Sequence, residues 1–328
     1  MNYGALIGDS LRLTLRNRYL WFFGFFAGGT GTNFTFNAPS NVRNVPDGLE
    51  NLDPGSVALS TASPALLLQT GGGTVALVVA LALLGLLLAL VVVALALISH
   101  AGLVRGVAAL ERDEAPAERR FAATWRSGVN GMWRVLGLGV LLFLLGLGLL
   151  LAVALPAGVG IALVFGLTQS VAARVLVTVL LSLVAVALLV AIFIPLFIIW
   201  QLALRRTLLA GDRITGSIGG GYGMFRRNLG RSLLVWLIGL VVGFGLGIAL
   251  LVAAAIVGFL LFLPTIILAV AEITTAAIVT GAIAGVILLA LFVVASGALG
   301  TFGSAYWTLA YLRLETPEPR TEAAPAAP

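Results

Sequence analysis

The stretch Thr74–Ser99, TVALVVALALLGLLLALVVVALALIS, contains no charged residue and no proline. A helix needs about 20 consecutive apolar residues to cross the hydrocarbon core of a bilayer, so this stretch is long enough to span it. Because lipid cannot hydrogen-bond to an exposed backbone, a single spanning segment must be helical. The sequence therefore predicts a transmembrane helix here, and the helical pattern continues to about Leu110.

Similar stretches make up most of the chain. Hydrophobic residues are 60% of its 328 residues and charged residues only 10%, whereas soluble domains average about 25% charged residues. These charges are too few to cover a soluble fold of this size, so lipid must contact much of the surface. The other predicted spans are Tyr19–Ala27, Val135–Leu155, Val171–Leu204, Leu233–Leu263 and Ala276–Leu314. The predicted fold class is all-α, a polytopic integral membrane protein with six transmembrane helices.

The first of these spans is the shortest. Tyr19–Ala27 is shorter than a full crossing and must borrow residues from either side. Basic residues before a short apolar core are also typical of a cleaved signal peptide, although Asp9 and the long helical leader argue against that alternative. We expect residues 3–18 to form a basic amphipathic helix that leads into the first crossing.

The segments outside the spans are polar. Residues 28–73, rich in Gly, Asn, Ser and Pro, are predicted to form a non-cytoplasmic loop. The tail 315–328, rich in Pro, Ala and Glu, is predicted to be disordered. Residues 1–314 then form a single transmembrane domain.

Three prolines and one glycine run are expected to interrupt helices. Pro156 should kink or end the third span, Pro195 lies inside the fourth, and Pro264 should close the fifth. The run Gly219–Gly223 contains neither a phosphate-loop motif nor a preceding strand, so we expect it to be a flexible hinge.

The charge distribution predicts the orientation. All 19 basic residues are arginines, and only Arg43 and Arg174 fall on the side opposite to the rest. Because cytoplasmic loops carry the excess of basic residues, both termini and the even-numbered connections are predicted to be cytoplasmic. Every Trp and Tyr lies near the same boundaries, which indicates an aromatic belt on that side. Complete avoidance of Lys suggests a GC-rich bacterial gene, and hence the bacterial plasma (inner) membrane.

An internal repeat is also predicted. Gly131-Met132-Trp133-Arg134 matches Gly223-Met224-Phe225-Arg226, and Arg16-Asn17 matches Arg227-Asn228. Each motif lies in a basic leader that precedes two spans. The predicted helical hairpins are residues 3–110, 121–212 and 216–314. They share one topology and would be related by an axis along the membrane normal.

Two sets of residues are candidates for contacts. A guanidinium group binds phosphate oxygens with two hydrogen bonds, so the leader arginines are predicted to contact lipid headgroups, anionic ones above all, unless they serve topology and anchoring alone. These are Arg12, Arg16, Arg18, Arg126, Arg134, Arg226, Arg227 and Arg231. Glycines at four-residue spacing predict helix packing, either within the chain or in a homo-oligomer. These are Gly239, Gly243, Gly247, Gly281 and Gly285.

No catalytic, metal or cofactor site is predicted. The chain has no cysteine and one histidine, His100, which should bond a backbone carbonyl or lie at the interface. No predicted span carries a carboxylate in its middle, and Asp9 is expected to pair with Arg12 or Arg16. The arginines flank apolar runs, so lipid and not nucleic acid is the expected partner.

These observations predict a non-enzymatic inner-membrane protein that binds or organises lipids or partner membrane proteins. A permease for a small apolar or lipidic solute is an alternative, since the three prolines could shape a path. A membrane-embedded enzyme is a further alternative, for which His100, Asp9 and the arginines are the available groups.

Two segments carry a resemblance to a known group. Arg16-Asn17-Arg18-Tyr19-Leu20-Trp21-Phe22-Phe23-Gly24 and Ala305-Tyr306-Trp307-Thr308-Leu309-Ala310-Tyr311-Leu312 resemble an uncharacterised group of bacterial six-span proteins. That group is similar to the membrane domain fused to some bacterial glycerophosphodiester phosphodiesterases. The catalytic barrel of those enzymes, with its His, Glu and Asp ligands, has no counterpart in this sequence. The resemblance therefore implies a fold and a membrane setting, and no catalytic residue.

Overall fold

The computed structural model describes residues 2–28 and 72–315, with the side chains of residues 72–76 excepted. Every regular element in these ranges is helical, and a π-helical turn, Arg206–Ala210, follows the fifth helix. The helices, numbered in chain order, are α1 (Tyr3–Arg16), α2 (Leu20–Gly28), α3 (Gly72–Glu111), α4 (Phe121–Leu167), α5 (Val171–Arg205), α6 (Ile214–Arg227), α7 (Leu229–Val270) and α8 (Thr274–Glu315).

Within the described residues, five helices are long and apolar enough to cross a membrane, namely α3, α4, α5 with its π turn, α7 and α8. The all-α class and the multi-pass membrane character predicted from the sequence are therefore confirmed. The first predicted crossing is described only as far as Gly28. Most of the predicted loop 28–73, and the predicted tail beyond Glu315, lie outside the described residues.

The described residues belong to two units: residues 72–95 to a smaller one, and residues 2–28 and 96–315 to a larger one. The described part of the smaller unit is the first portion of α3, an apolar helix. The larger unit contains the last portion of α3 and all the other described helices.

The core of the larger unit lies at the arginine-bearing ends of the long helices. Buried residues of α5 run from Ile198 to Arg205, and α8 is buried almost continuously from Gly297 to Tyr311. In the other halves, large apolar side chains are exposed, as with Phe259 and Leu289 at 61% and 63%. Exposed apolar surface on this scale indicates contact with lipid.

Glycine allows α2 and α8 to approach closely. A Cβ atom added at Gly24 would collide with the backbone of Gly297 and Thr301, and one added at Gly300 would collide with the Gly24 carbonyl. The Thr301 hydroxyl faces two carbonyl oxygens, at 2.8 Å from that of Gly297 and 3.0 Å from that of Leu20. Small residues and an interhelical hydrogen bond thus join these two helices.

Two further helix pairs also approach closely at a glycine. On α4, a Cβ at Gly128 would collide with the Ile98 carbonyl of α3. On α6, a Cβ at Gly221 would lie 3.1 Å from the Ala203 nitrogen of α5. The contacts therefore pair α2 with α8, α4 with α3, and α6 with α5.

Two local expectations were wrong, and one of the two outcomes expected at Pro156 is excluded. The fifth span does not close at Pro264, because α7 continues to Val270. Helix α4 continues past Pro156, so that proline does not end the helix. A proline removes one helical hydrogen bond, whereas a helix end within lipid would leave several backbone groups unpaired. The run Gly219–Gly223 is helical and not a hinge. A Cβ at Gly221 would crowd backbone atoms of Ala203, so this glycine serves close packing, whereas a Cβ at Gly219 or Gly223 would meet nothing within 4 Å.

We predict that Gly24→Ala destabilises the protein by about 1–3 kcal/mol, the usual cost of overpacking, because the new methyl group meets backbone atoms that cannot rotate away. The midpoint of thermal unfolding in detergent measures the effect. Gly28→Ala, on the same helix, is the matched control, since its Cβ would lie 3.9 Å from the Gly300 Cα, an ordinary contact. Equal midpoints for the two variants would contradict the close approach.

Candidate lipid-headgroup interface

The arginines predicted to contact headgroups are all exposed. They lie on α1 and just after it, near the start of α4, at the end of α6 and at the start of α7, around the buried helix ends. The exposed set is Arg12, Arg16, Arg18, Arg126, Arg134, Arg226, Arg227 and Arg231. We call this set the arginine rim. Contact between the rim and lipid stays a prediction at this point.

Helix α1 shows how the sequence places these side chains. Leu6, Ser10 and Thr14 recur every fourth residue and are buried. Leu11 and Leu15, on the other face, are 42% and 55% exposed. Arg12 and Arg16 accompany these exposed leucines, so apolar and cationic groups share one outward face. Such a face fits the boundary between acyl chains and headgroups.

Helix α6 repeats this division. Ser217, Gly221, Met224 and Phe225 are buried, whereas Tyr222 is 52% exposed beside exposed arginines at the end of the helix. Both short helices thus pack through one face and present aromatic or aliphatic groups with arginines on the other.

Other arginines are built into the protein. Arg205 is 1% exposed and donates from Nη1 to the side-chain oxygen of Gln201 at 2.6 Å, and from Nη2 to the Ser304 carbonyl at 3.4 Å. Among the described residues, its hydrogen bonds go to the Gln201 side chain and to backbone carbonyls. Carbonyl oxygens near the end of α5 carry partial negative charge and stabilise this cation. Sequence reasoning missed Arg205, although Gln201 and Arg205 at i, i+4 in an apolar helix were a signal.

Two ion pairs fix the helix ends. Arg206 Nε lies 2.6 Å from Asp212 Oδ2, and Arg313 Nη2 lies 2.6 Å from Asp9 Oδ2. The expectation that Asp9 pairs with Arg12 or Arg16 was wrong. The partner of Asp9 comes from the end of α8, which packs beside α1, and this leaves the α1 arginines facing outward.

Part of the predicted aromatic belt belongs to the core. Tyr306, Trp307 and Tyr311 are at most 2% exposed. The Tyr306 hydroxyl donates to the Val235 carbonyl at 2.7 Å and so links α8 to α7. Trp133, at 68% exposure, remains at the surface.

The predicted packing glycines differ in their surroundings. Gly239 is buried, and a Cβ at Gly281 would lie 3.1 Å from Thr265 on α7. Gly243 and Gly247 are half-buried. A Cβ at Gly285 would meet nothing within 4 Å. The tightest approaches, at Gly24 and Gly300, lie outside this set.

A cavity of about 250 Å³ opens between the end of α3, the start of α4 and the π turn. Its buried lining includes Gly106 and Thr124, and its exposed lining includes Arg112, Glu114 and Glu118. Sequence reasoning did not identify this site, because its walls come from three separate parts of the chain.

The residues on which the alternative functions depend are also placed by the described part of the chain. No group of three His, Asp or Glu side chains there is placed to hold a metal ion. His100 is 6% exposed and hydrogen-bonds the backbone of Ala27. Pro156, Pro195 and Pro264 all lie within helices.

No family model, curated protein or solved structure matches this chain. The resemblance to the membrane domain of glycerophosphodiester phosphodiesterases therefore stays a prediction.

We predict that Arg205→Ala destabilises the protein by about 3 kcal/mol or more, because it empties a buried volume and removes the hydrogen bonds to Gln201 and Ser304. Arg226→Ala, at the exposed end of α6, is the matched control and should change stability by no more than about 0.5 kcal/mol. Unfolding midpoints in detergent separate the two. Equal losses would contradict the division between built-in and exposed arginines.

Proposed function

We propose that this chain is a non-enzymatic multi-pass protein of the bacterial inner membrane whose cytoplasmic face binds the headgroups of anionic lipids. The observation that carries the proposal is the pairing of exposed arginines with exposed apolar side chains on the same short helices. Arg12 and Leu15 are paired in this way on α1, and Arg226 and Tyr222 on α6. A helix of this composition holds its apolar groups in the acyl boundary and its cations among the phosphates.

The rim supplies enough binding energy for enrichment of anionic lipid. A basic side chain near an anionic membrane surface contributes about 1 kcal/mol, and a guanidinium group engages a phosphate through two hydrogen bonds. Several arginines acting together give a preference that salt weakens. A rim held on packed helices loses little entropy when lipid binds, because its backbone is already ordered.

The cytoplasmic placement of the rim rests on charge. Only Arg43 and Arg174 of the 19 arginines fall on the other side of the spans. An excess of arginine in short connections sets the cytoplasmic side. Both termini are cytoplasmic in this orientation.

We also propose six spans in three hairpins, formed by α1–α3, α4–α5 and α6–α8. The glycine contacts support this arrangement. In each hairpin an early helix packs against the last helix of the hairpin before it, the third hairpin counting as the one before the first. Gly24 of α2 packs on α8, Gly128 of α4 on α3, and Gly221 of α6 on α5. A threefold repeat about the membrane normal generates such a ring of contacts.

Two asparagines support the same repeat. Asn17 lies between the 14-residue helix α1 and the apolar helix α2. Asn228 lies between the 14-residue helix α6 and the long helix α7. Each donates from Nδ2 to the carbonyl four residues earlier, Leu13 at 2.9 Å and Met224 at 3.3 Å. The matching Arg-Asn pairs of the sequence thus occupy equivalent breaks between helices.

We predict that the triple variant Arg12→Gln, Arg16→Gln, Arg18→Gln loses most of its preference for phosphatidylglycerol over phosphatidylcholine. The loss should be about a hundredfold at low salt, since each arginine contributes about 1 kcal/mol. Native mass spectrometry of the full chain with defined lipids measures it. Arg174→Gln is the control, because that guanidinium lies near the opposite ends of the spans, 2.6 Å from the Thr168 carbonyl. An unchanged preference in the triple variant would contradict the proposal.

We predict that a cysteine introduced as Asn41→Cys reacts with a membrane-impermeant thiol reagent in intact spheroplasts. A cysteine introduced as Gly8→Cys, at an exposed position of α1 that precedes the first crossing, should react only after permeabilisation. The chain has no cysteine of its own, so labelling has no background. Labelling of both positions from the same side would contradict a first crossing.

A further inference from the structure

Three charged side chains meet where α1, α3 and α8 come together. Arg313, in the last turn of α8, donates from Nη2 to Asp9 Oδ2 of α1 at 2.6 Å. Glu111, the last residue of α3, lies near enough for the charges of both to act on it. We call these three residues the charge group. Two carboxylates and one guanidinium leave one negative charge in excess within it.

The charge group is open to solvent. The side chains of Arg313 and Asp9 are 27% and 41% exposed, and Glu111 is an exposed residue. An anion at this surface therefore experiences the charge group as well as the arginines of the rim.

Asp9 lies on the helix that carries Arg12 and Arg16. Residues three positions apart on a helix are neighbours, with Cβ atoms about 5–6 Å apart, and this spacing relates Asp9 to Arg12. Charges act on one another over about 10 Å at 0.1 M salt. The Asp9 carboxylate therefore opposes the attraction of Arg12 for an anion, and Arg313 cancels part of that opposition.

Stability alone gives little reason for a carboxylate on this basic surface. An ion pair between partly exposed side chains contributes little to the free energy of unfolding. Its electrostatic effect on a charged ligand is larger, because Asp9 and Arg12 share one helix. The contact between α1 and α8 thus connects a residue outside the rim to the potential at the rim.

We propose that the charge group sets the affinity of the rim for lipids with a net negative charge. Asp9 and Glu111 lower that affinity, and Arg313 restores part of it by neutralising one carboxylate. Arg313 acts through the two carboxylates and is not itself a lipid contact. The inference rests on the proposed lipid-binding function, because it needs the rim at the membrane surface, and it concerns the regulation of that same surface.

Three single variants of the full chain test the inference. Asp9→Asn and Glu111→Gln each remove a negative charge and should raise the preference for phosphatidylglycerol over phosphatidylcholine. Arg313→Gln removes a positive charge and should lower it. The change at Asp9 or Arg313 should be about fivefold at low salt, the effect of one charge near an anionic surface. Native mass spectrometry with defined lipids measures each preference, and more ammonium acetate should shrink the differences.

The same variants separate charge from structure. Asp9→Asn and Arg313→Gln break one and the same ion pair, so a purely structural role would move the lipid preference in one direction in both. Glu111→Gln leaves that ion pair intact and changes the charge alone. Arg313→Lys keeps the cation, and the double variant Asp9→Asn, Arg313→Gln keeps the net charge. Both should bind lipid like the unmodified protein, and unfolding midpoints in detergent check that every variant folds.

The contrary outcomes are distinct. A lower preference in both Asp9→Asn and Arg313→Gln would overturn the inference and make the ion pair purely structural. Unchanged preferences in all three single variants, with a loss in the triple arginine variant of α1, would overturn the inference and leave the proposed function standing. Equal binding of phosphatidylglycerol and phosphatidylcholine by the unmodified protein would overturn the proposed function and this inference with it.

Discussion

The close approach of helix backbones at the arginine-bearing ends is the contact on which the rest of the larger unit depends. Lipid is as apolar as a protein interior, so an apolar side chain gains little free energy by moving from lipid into a contact between helices. Helices in a membrane therefore associate through van der Waals packing and interhelical hydrogen bonds. Gly24 meets Gly297 and Gly300 backbone to backbone, and Thr301 donates to the Leu20 carbonyl. These contacts hold α2, a helix of nine described residues, against the most buried part of α8.

Packing at this end also decides which charges face outward. Arg313 forms an ion pair with Asp9, and Arg205 is buried among helices. Both arginines therefore stabilise the fold through contacts within the protein. The arginines of the rim lie on the opposite faces of α1 and α6, beside exposed Leu15 and Tyr222. Because the buried faces fix both short helices, the rim is a preorganised surface and not a mobile basic tail.

The fold class could be predicted from the sequence because long apolar runs in a chain with few charges have one solution in lipid. The buried face of α1 could not be predicted, because the hydrophobic pattern groups Leu6 with Leu11 and Leu15, whereas Ser10 and Thr14 are buried with Leu6 and the other two leucines are exposed. The partner of Asp9 could not, because Arg313 is 304 positions away. The cavity has the same origin, with Arg105, Thr124 and Leu208 meeting only after the helices pack. Gly219–Gly223 was misassigned because glycine serves both flexibility and close packing, and only the backbone of Ala203 next to Gly221 shows which role that glycine has.

The two groups of arginines also differ in their electrostatic environment. Arg205 is buried and donates hydrogen bonds to Gln201 and to the Ser304 carbonyl, so dissolved ions have little access to it. The arginines of the rim are exposed, so salt screens their attraction for any anion at the surface. Ionic strength therefore separates the two roles, because raising it weakens what the rim attracts and leaves the contacts of Arg205 in place.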